Sequence, residues 1–223
     1  MIAAARRILA RLRRPARTSS SQQREIFTAI FRRNDWGHPD SVSGPGSTIE
    51  RGLQFRDELV KVLRDVEIKS ILDAPCGDFN WMRLVLDDLD VEYTGVDIVE
   101  ALVRENAARD ARQFRCLDFT ADELPRADLV LCRDALVHFS FADIHAAIGN
   151  FQRSGARYLM ATTFVDRDRN RDIATGGWRP LNMQLAPFSF PEPVAIIDEQ
   201  CMHSGGIYRD KRLALWKLDD KHA

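Results

Sequence analysis

The stretch Ile71-Leu-Asp-Ala-Pro-Cys-Gly77-Asp-Phe-Asn-Trp81 decides the fold. A β-rich run, Ile68–Ala74, stops in a tight turn and gives way to a helical pattern over 80–89. Downstream, the runs Glu92–Asp97, Gln113–Leu117, Ala127–Cys132 and Arg157–Thr163 alternate with helical patterns over 99–110 and 141–153. Strands that alternate with helices predict a parallel sheet covered on both faces. Upstream, Ile26-Phe27-Ile30-Phe31 sets a helical pattern from about residue 22. A turn-rich stretch, 34–48, follows it, and then a helix over 49–64 with Leu53, Leu59, Val60 and Leu63 directed inward. Residues 165–193 hold Gly176, Gly177, Pro180, Pro187, Pro191 and Pro193 and predict no helix. A loop of that length inside a compact domain is usually functional. Val194–Asp198 and Arg212–Leu218 then read as an antiparallel pair closing one edge of the sheet. The expected class is α/β: a Rossmann-like, doubly wound, mostly parallel sheet with an antiparallel C-terminal strand pair.

The 223 residues, 45% hydrophobic and 29% charged, suit one domain with a sizeable core. No stretch approaches the roughly 20 apolar residues of a membrane-spanning helix. Cys76, Cys116, Cys132 and Cys201 form no CxxC pair, which argues against zinc ribbons, redox dithiols and a stapled secreted scaffold. A reduced, cytoplasmic protein without a metal is the expectation. Residues 1–20 carry six arginines and no acid, so a chain of net charge −1 has −7 on its remainder. The tail reads as a basic flexible extension over 1–21; a transit peptide or a helix on an anionic surface are the other readings. The acidic body disfavours nucleic acid as a partner.

Ligands of open parallel sheets bind beyond the carboxyl ends of the strands. Asp97 closes the second run, 20 residues beyond Gly77, where an acid accepts hydrogens from ribose hydroxyls. A pyrophosphate needs a glycine-rich turn with free amides. Here Gly77 is the one glycine of the turn, and Asp73 and Asp78 bring carboxylates to that place. These acids suit a phosphate-free, cationic nucleoside such as S-adenosylmethionine.

Residues 68–164 resemble the core of a class I S-adenosylmethionine-dependent methyltransferase. Ile71–Gly77 is similar to the family's first motif, Tyr93-Thr-Gly-Val-Asp97-Ile98 to its ribose motif, and Leu117-Asp118-Phe119 to its adenine motif. Asp128–Cys132 with Ala135-Leu-Val-His138-Phe139 is similar to the fourth strand and its continuation. Two positions depart from the pattern: Pro75 stands at the first glycine and Phe79 at the last, where it is expected to narrow the approach. The resemblance implies a lid segment over 22–64 and a cofactor-binding domain over 65–223, with 165–193 on the substrate side. It places Asp73, Pro75, Cys76, Gly77, Asp97, Ile98, Asp118, Phe119 and Arg133 around the cofactor.

Each candidate also has a plainer reading. Asp97 and Asp118 are possible helix caps, Asp73 a turn carboxylate, Cys76 a small filler, and Arg133 with Asp134 a surface ion pair. In the sharper reading Asp134 orients the substrate and His138 is a general base; the plainer one makes His138 structural. Trp36, Trp178, Arg179 and Asn182 are the substrate candidates, because Trp beside Arg stacks on a ring and pairs with an anion. The expected reaction is O- or N-methylation of a polar small molecule, with sugar-linked acceptors among the candidates. A non-catalytic cofactor-binding module and a dinucleotide oxidoreductase are the alternatives.

Overall fold

A computed structural model describes residues 16–218; of the extension expected over 1–21, residues 1–15 lie outside them. Among the described residues, seven strands form one sheet in the order β3-β2-β1-β4-β5-β7-β6. They are β1 Ser70–Asp73, β2 Glu92–Asp97, β3 Gln113–Cys116, β4 Leu129–Cys132, β5 Tyr158–Phe164, β6 Ala195–Asp198 and β7 Lys211–Lys217. The first five pair in parallel, with Asp73 beside Gly95 and Leu131, and Asp97 beside Cys116. β7 runs antiparallel between β5 and β6, which sets Phe164 opposite Lys211. This is the expected doubly wound class with its antiparallel C-terminal pair.

The central strands are apolar on both faces because helices cover both. Neighbouring side chains of one strand enter opposite cores, as period-two alternation requires. Leu72, Val130 and Leu159 join Phe27 and Ile30 of α1 (Ser20–Arg33) and Ile144 and Phe151 of α5 (Phe141–Arg153). Ile71, Leu131 and Met160 join Phe55, Leu59 and Leu63 of α2 (Ile49–Asp65) and Met82 and Val85 of α3 (Met82–Leu86). The remaining helix is α4 (Glu100–Arg109).

Three local expectations change. Leu53 faces solvent, 52% exposed, because the buried stripe of α2 runs through Gly52, Phe55, Leu59, Val60 and Leu63. The predicted helix over 80–89 contracts to α3, flanked by turns. The serines at the end of the presumed extension belong to the folded body: Ser19 caps α1 in a capping box with Gln22. Arg17 reaches the Thr120 carbonyl at 2.8 Å, and the Thr18 amide donates to Asp143 at 2.8 Å. Between β5 and β6 no helix or strand forms, as expected.

Candidate active site

A cavity of about 390 Å³ opens at the carboxyl ends of β1, β2 and β4. At its centre is the turn after β1, and there every amide has an internal partner. Pro75 has none to offer; the Cys76 amide donates to the Val96 carbonyl at 2.9 Å. The Gly77 amide donates to Asp97 Oδ2 at 3.2 Å, and the Asp78 amide to Ser43 Oγ at 2.9 Å. No amide is left to cradle a phosphate. Gly77 has φ +55°, and a Cβ there would run into the Ser43 hydroxyl, so glycine permits the 41–43 loop to close on this turn.

Asp97 is 6% exposed and lines the cavity, with Oδ1 accepting from the Val99 amide at 2.8 Å. Burial pushes its carboxyl up to about 6, against the opposing amides of Val99 and Gly77. Asp73 is also buried in the wall and accepts from the Tyr93 hydroxyl at 2.7 Å. Burial pushes it up to about 7, with that hydroxyl opposing. Ile98, Val99, Leu102 and Phe119 form an apolar slot beside Asp97. Asp118, next in sequence to Phe119, does not line the cavity: Oδ1 holds the Thr120 amide and hydroxyl, while Oδ2 is buried without a hydrogen-bond partner. Cys76 lines the cavity, but burial drives its thiol well above its ordinary value, which makes it an unreactive filler.

Past the turn after β1, Arg133 and Asp134 belong to a buried network, not to a surface ion pair. Arg133 pairs with Glu199 and lies over the rings of Phe55 and Trp81, 4.8 and 4.9 Å from their centroids. Lys211 Nζ bridges Asp134 at 2.6 Å and Glu199 at 3.1 Å. Asp134 takes φ +54°, with its amide donating to Thr162 Oγ1 at 2.8 Å. Burial would raise its carboxyl, but Lys211 and Arg133 outweigh that and hold it below the usual range, so Asp134 is a fixed anion and a poor base.

His138 lines the cavity with its ring 5.0 Å from that of Trp36. Its Nδ1 lies 2.8 Å from the Gly177 carbonyl, an acceptor only, so Nδ1 carries the proton and Nε2 keeps a lone pair. Burial lowers the imidazole below its ordinary value despite that carbonyl, so it is neutral at pH 7. Trp178 lines the cavity at 44% exposure and packs edge-on against Tyr208 and Phe164, with centroids 5.0 and 6.3 Å away.

Two substrate candidates turn away. Arg179 is buried and donates to the carbonyls of Leu136 at 2.9 Å, Phe139 at 2.6 Å and Arg171 at 3.1 Å, which ties the long loop to the segment after β4. Asn182 is likewise buried, bonding the carbonyls of Val165 and Arg167 and the Gln184 amide. Phe79 also leaves the cavity free: it packs into the rings of Tyr93 and Phe114, both 5.1 Å away. Asp78 accepts from the Ser41 hydroxyl at 2.6 Å and anchors the 41–43 loop instead of meeting a ligand.

Glu199 and Lys211 were not singled out in the sequence. β7 enters the sheet antiparallel, so its first residue reaches the edge where parallel strands end. β6 runs with β5, so the residue after its last reaches that same edge. The predicted antiparallel pair carried this signal, had its termini been projected onto the sheet. Among the described residues, no group of three or more His, Cys, Asp or Glu is placed to hold a metal ion.

No protein-family model and no curated protein matches the sequence. Solved structures do match in fold. Human N-acetylserotonin methyltransferase in complex with SAM is 16% identical with TM-score 0.55, over 86% of this chain and 59% of its own. The cyclase SpnF is 20% identical with TM-score 0.53, over 78% and 70%. Magnesium protoporphyrin IX methyltransferase from Synechocystis PCC 6803 with bound SAM is 18% identical with TM-score 0.50, over 70% and 81%. The chain spans 66% of a bacterial Hen1 methyltransferase domain that aligns at TM-score 0.46.

Proposed function

We propose that this chain, which has the fold of the class I methyltransferases, is an S-adenosylmethionine-dependent methyltransferase acting on a small polar acceptor. The observation that carries this reading is the turn after β1, whose amides are all spent internally while Asp73 and Asp97 face the cavity. A pyrophosphate would find no donors and two acids there, whereas a ribose and a cationic amino-acid end suit it. Asp97 would hold the ribose hydroxyls, Asp73 would face the ammonium, and the slot of Ile98 and Phe119 would take the adenine. When bound, S-adenosylmethionine supplies an activated methyl group on a sulfonium.

The protein then has to present an acceptor lone pair and exclude water. His138 Nε2 is the group able to take a proton from an acceptor hydroxyl, since Nδ1 is held by the Gly177 carbonyl. Asp134 serves the acceptor as a fixed hydrogen-bond acceptor, not as the base. No helix of the described residues is long and apolar enough to cross a membrane. Four free cysteines support a cytoplasmic, reducing setting. Calorimetry tests the cofactor: S-adenosylmethionine and S-adenosylhomocysteine are expected to bind, and NAD is not. Asp97→Ala is expected to weaken binding at least tenfold. Binding of NAD alone, or undiminished binding by the variant, overturns the assignment.

A further inference from the structure

The acceptor half of the cavity has two kinds of wall. One is aromatic: Phe164, Trp178 and Tyr208 pack edge-to-face, and Trp178 keeps 44% of its surface exposed beside the cavity. The other is the ionic floor, and the sheet joins the two directly. Phe164 pairs with Lys211 across β5 and β7, and the Lys211 amide donates to the Tyr208 carbonyl at 3.0 Å.

That floor is electrically closed. Two cations, Arg133 and Lys211, face two anions, Asp134 and Glu199, and all four line the cavity. Arg133, Lys211 and Glu199 are each more than nine-tenths buried, while the Asp134 side chain keeps 26% of its surface. Glu199 Oε1 is buried without a hydrogen-bond partner. The floor therefore offers acceptor oxygens set against fixed cations, and its four charges sum to zero. A carboxylate, phosphate or ammonium set on this floor would be desolvated against charges already paired with one another, while Arg51, the other guanidinium of the lining, is engaged by the Gln54 side chain and the Gln200 carbonyl. A purely aromatic ring would match the wall but leave the floor's polar oxygens against apolar surface, which also costs. A ring with an apolar face and several hydroxyls on its edge satisfies both: its C–H face lies on Trp178, and its hydroxyls donate charge-assisted bonds to the floor.

We propose that Trp178, Tyr208, Asp134 and Glu199 form an acceptor subsite for a neutral, hydroxyl-rich ring, a glycosyl unit, which presents one hydroxyl to His138. This rests on the methyltransferase reading and deepens it. The Trp178 face selects the ring, and the charge-neutral floor selects against its acidic and phosphorylated derivatives.

The test is binding to the full chain saturated with S-adenosylhomocysteine, read by saturation-transfer NMR and calorimetry. The probes are the methyl glycosides of glucose, galactose, mannose, fucose and rhamnose, with glucuronate, glucose 6-phosphate and 2-naphthol as competitors. At least one glycoside is expected to bind at least tenfold more tightly than every competitor. Trp178→Ala is expected to weaken it at least tenfold, and Trp178→Phe to restore most of the loss. Failure of all five glycosides, tighter binding of a competitor, or indifference to Trp178→Ala overturns the subsite. Failure of S-adenosylhomocysteine itself to bind overturns the cofactor reading instead. The same probes on the ligand-free chain, with the same Trp178 variants, then decide the subsite separately.

Discussion

Asp73 and Asp97 end adjacent strands and are buried in one cavity wall, and burial raises both carboxyls, to about 7 and about 6. Raised carboxyls are partly protonated in the free protein below neutrality, while a ligand that brings an ammonium to Asp73 and hydroxyl donors to Asp97 needs them ionised. Binding must then release protons, so affinity rises with pH and levels off above about 7. Calorimetry with S-adenosylhomocysteine from pH 5 to 8 is expected to show a dissociation constant that falls at least tenfold, with proton release that shrinks toward pH 8. Asp73→Asn is expected to flatten the upper part of that profile. A flat profile in the parent protein would show that neither acid titrates with binding. At this scale the positions of Asp73, Gly77 and Asp97 were legible, because each lies at or just past the end of a strand run. Their ionisation was not, since it depends on burial and on donors such as Tyr93 that arrive from a neighbouring strand.

The elements outside the sheet hold the cavity in shape. Ser41 and Ser43 fasten the 34–48 segment to the turn after β1 through Asp78, and Gly46 lies over Asp134 so closely that a Cβ would stand 2.6 Å from its Oδ2. On the other side Arg179 fastens the long loop through three carbonyls. Replacing it by leucine leaves buried carbonyls unpaired, at about 1–3 kcal/mol for each group affected. Arg179→Leu is expected to lower stability by about 3 kcal/mol in urea unfolding, with cofactor affinity in the folded fraction changed less than threefold. A stable variant that has lost only acceptor binding would return Arg179 to the substrate site. The sequence showed Trp178 and Arg179 side by side but not that the chain sends them opposite ways. Neighbouring residues of an irregular loop have no period from which to read facing.

At the scale of the whole molecule, the described residues form one sheet between two cores, and the cavity draws its walls from both. Phe27, Val99 and Phe139 belong to one core, Phe55 and Trp81 of the other pack around Arg133, and the strands carry the two carboxylates between them. A ligand seated there is expected to stabilise the body as a unit. At one hundred times its dissociation constant, S-adenosylhomocysteine contributes about 2.7 kcal/mol. For a domain of this size that is a rise in Tm of about 5–10 °C. Scanning calorimetry is expected to show a single transition that moves as a whole; two transitions, with one moving, would mean that the cores unfold separately.

Strand and helix order, the antiparallel pair and the acid at the end of each of the first two strands were determined by the sequence alone. Local hydrophobic period and turn residues encode these features within a few positions of where they act. The ionic floor, the partners that use up the turn's amides and the inward or outward fate of loop side chains were decided only by tertiary structure. Asp134 meets Lys211 across 77 positions of chain and Arg133 meets Glu199 across 66, contacts that depend on where an antiparallel strand inserts and that no local pattern records.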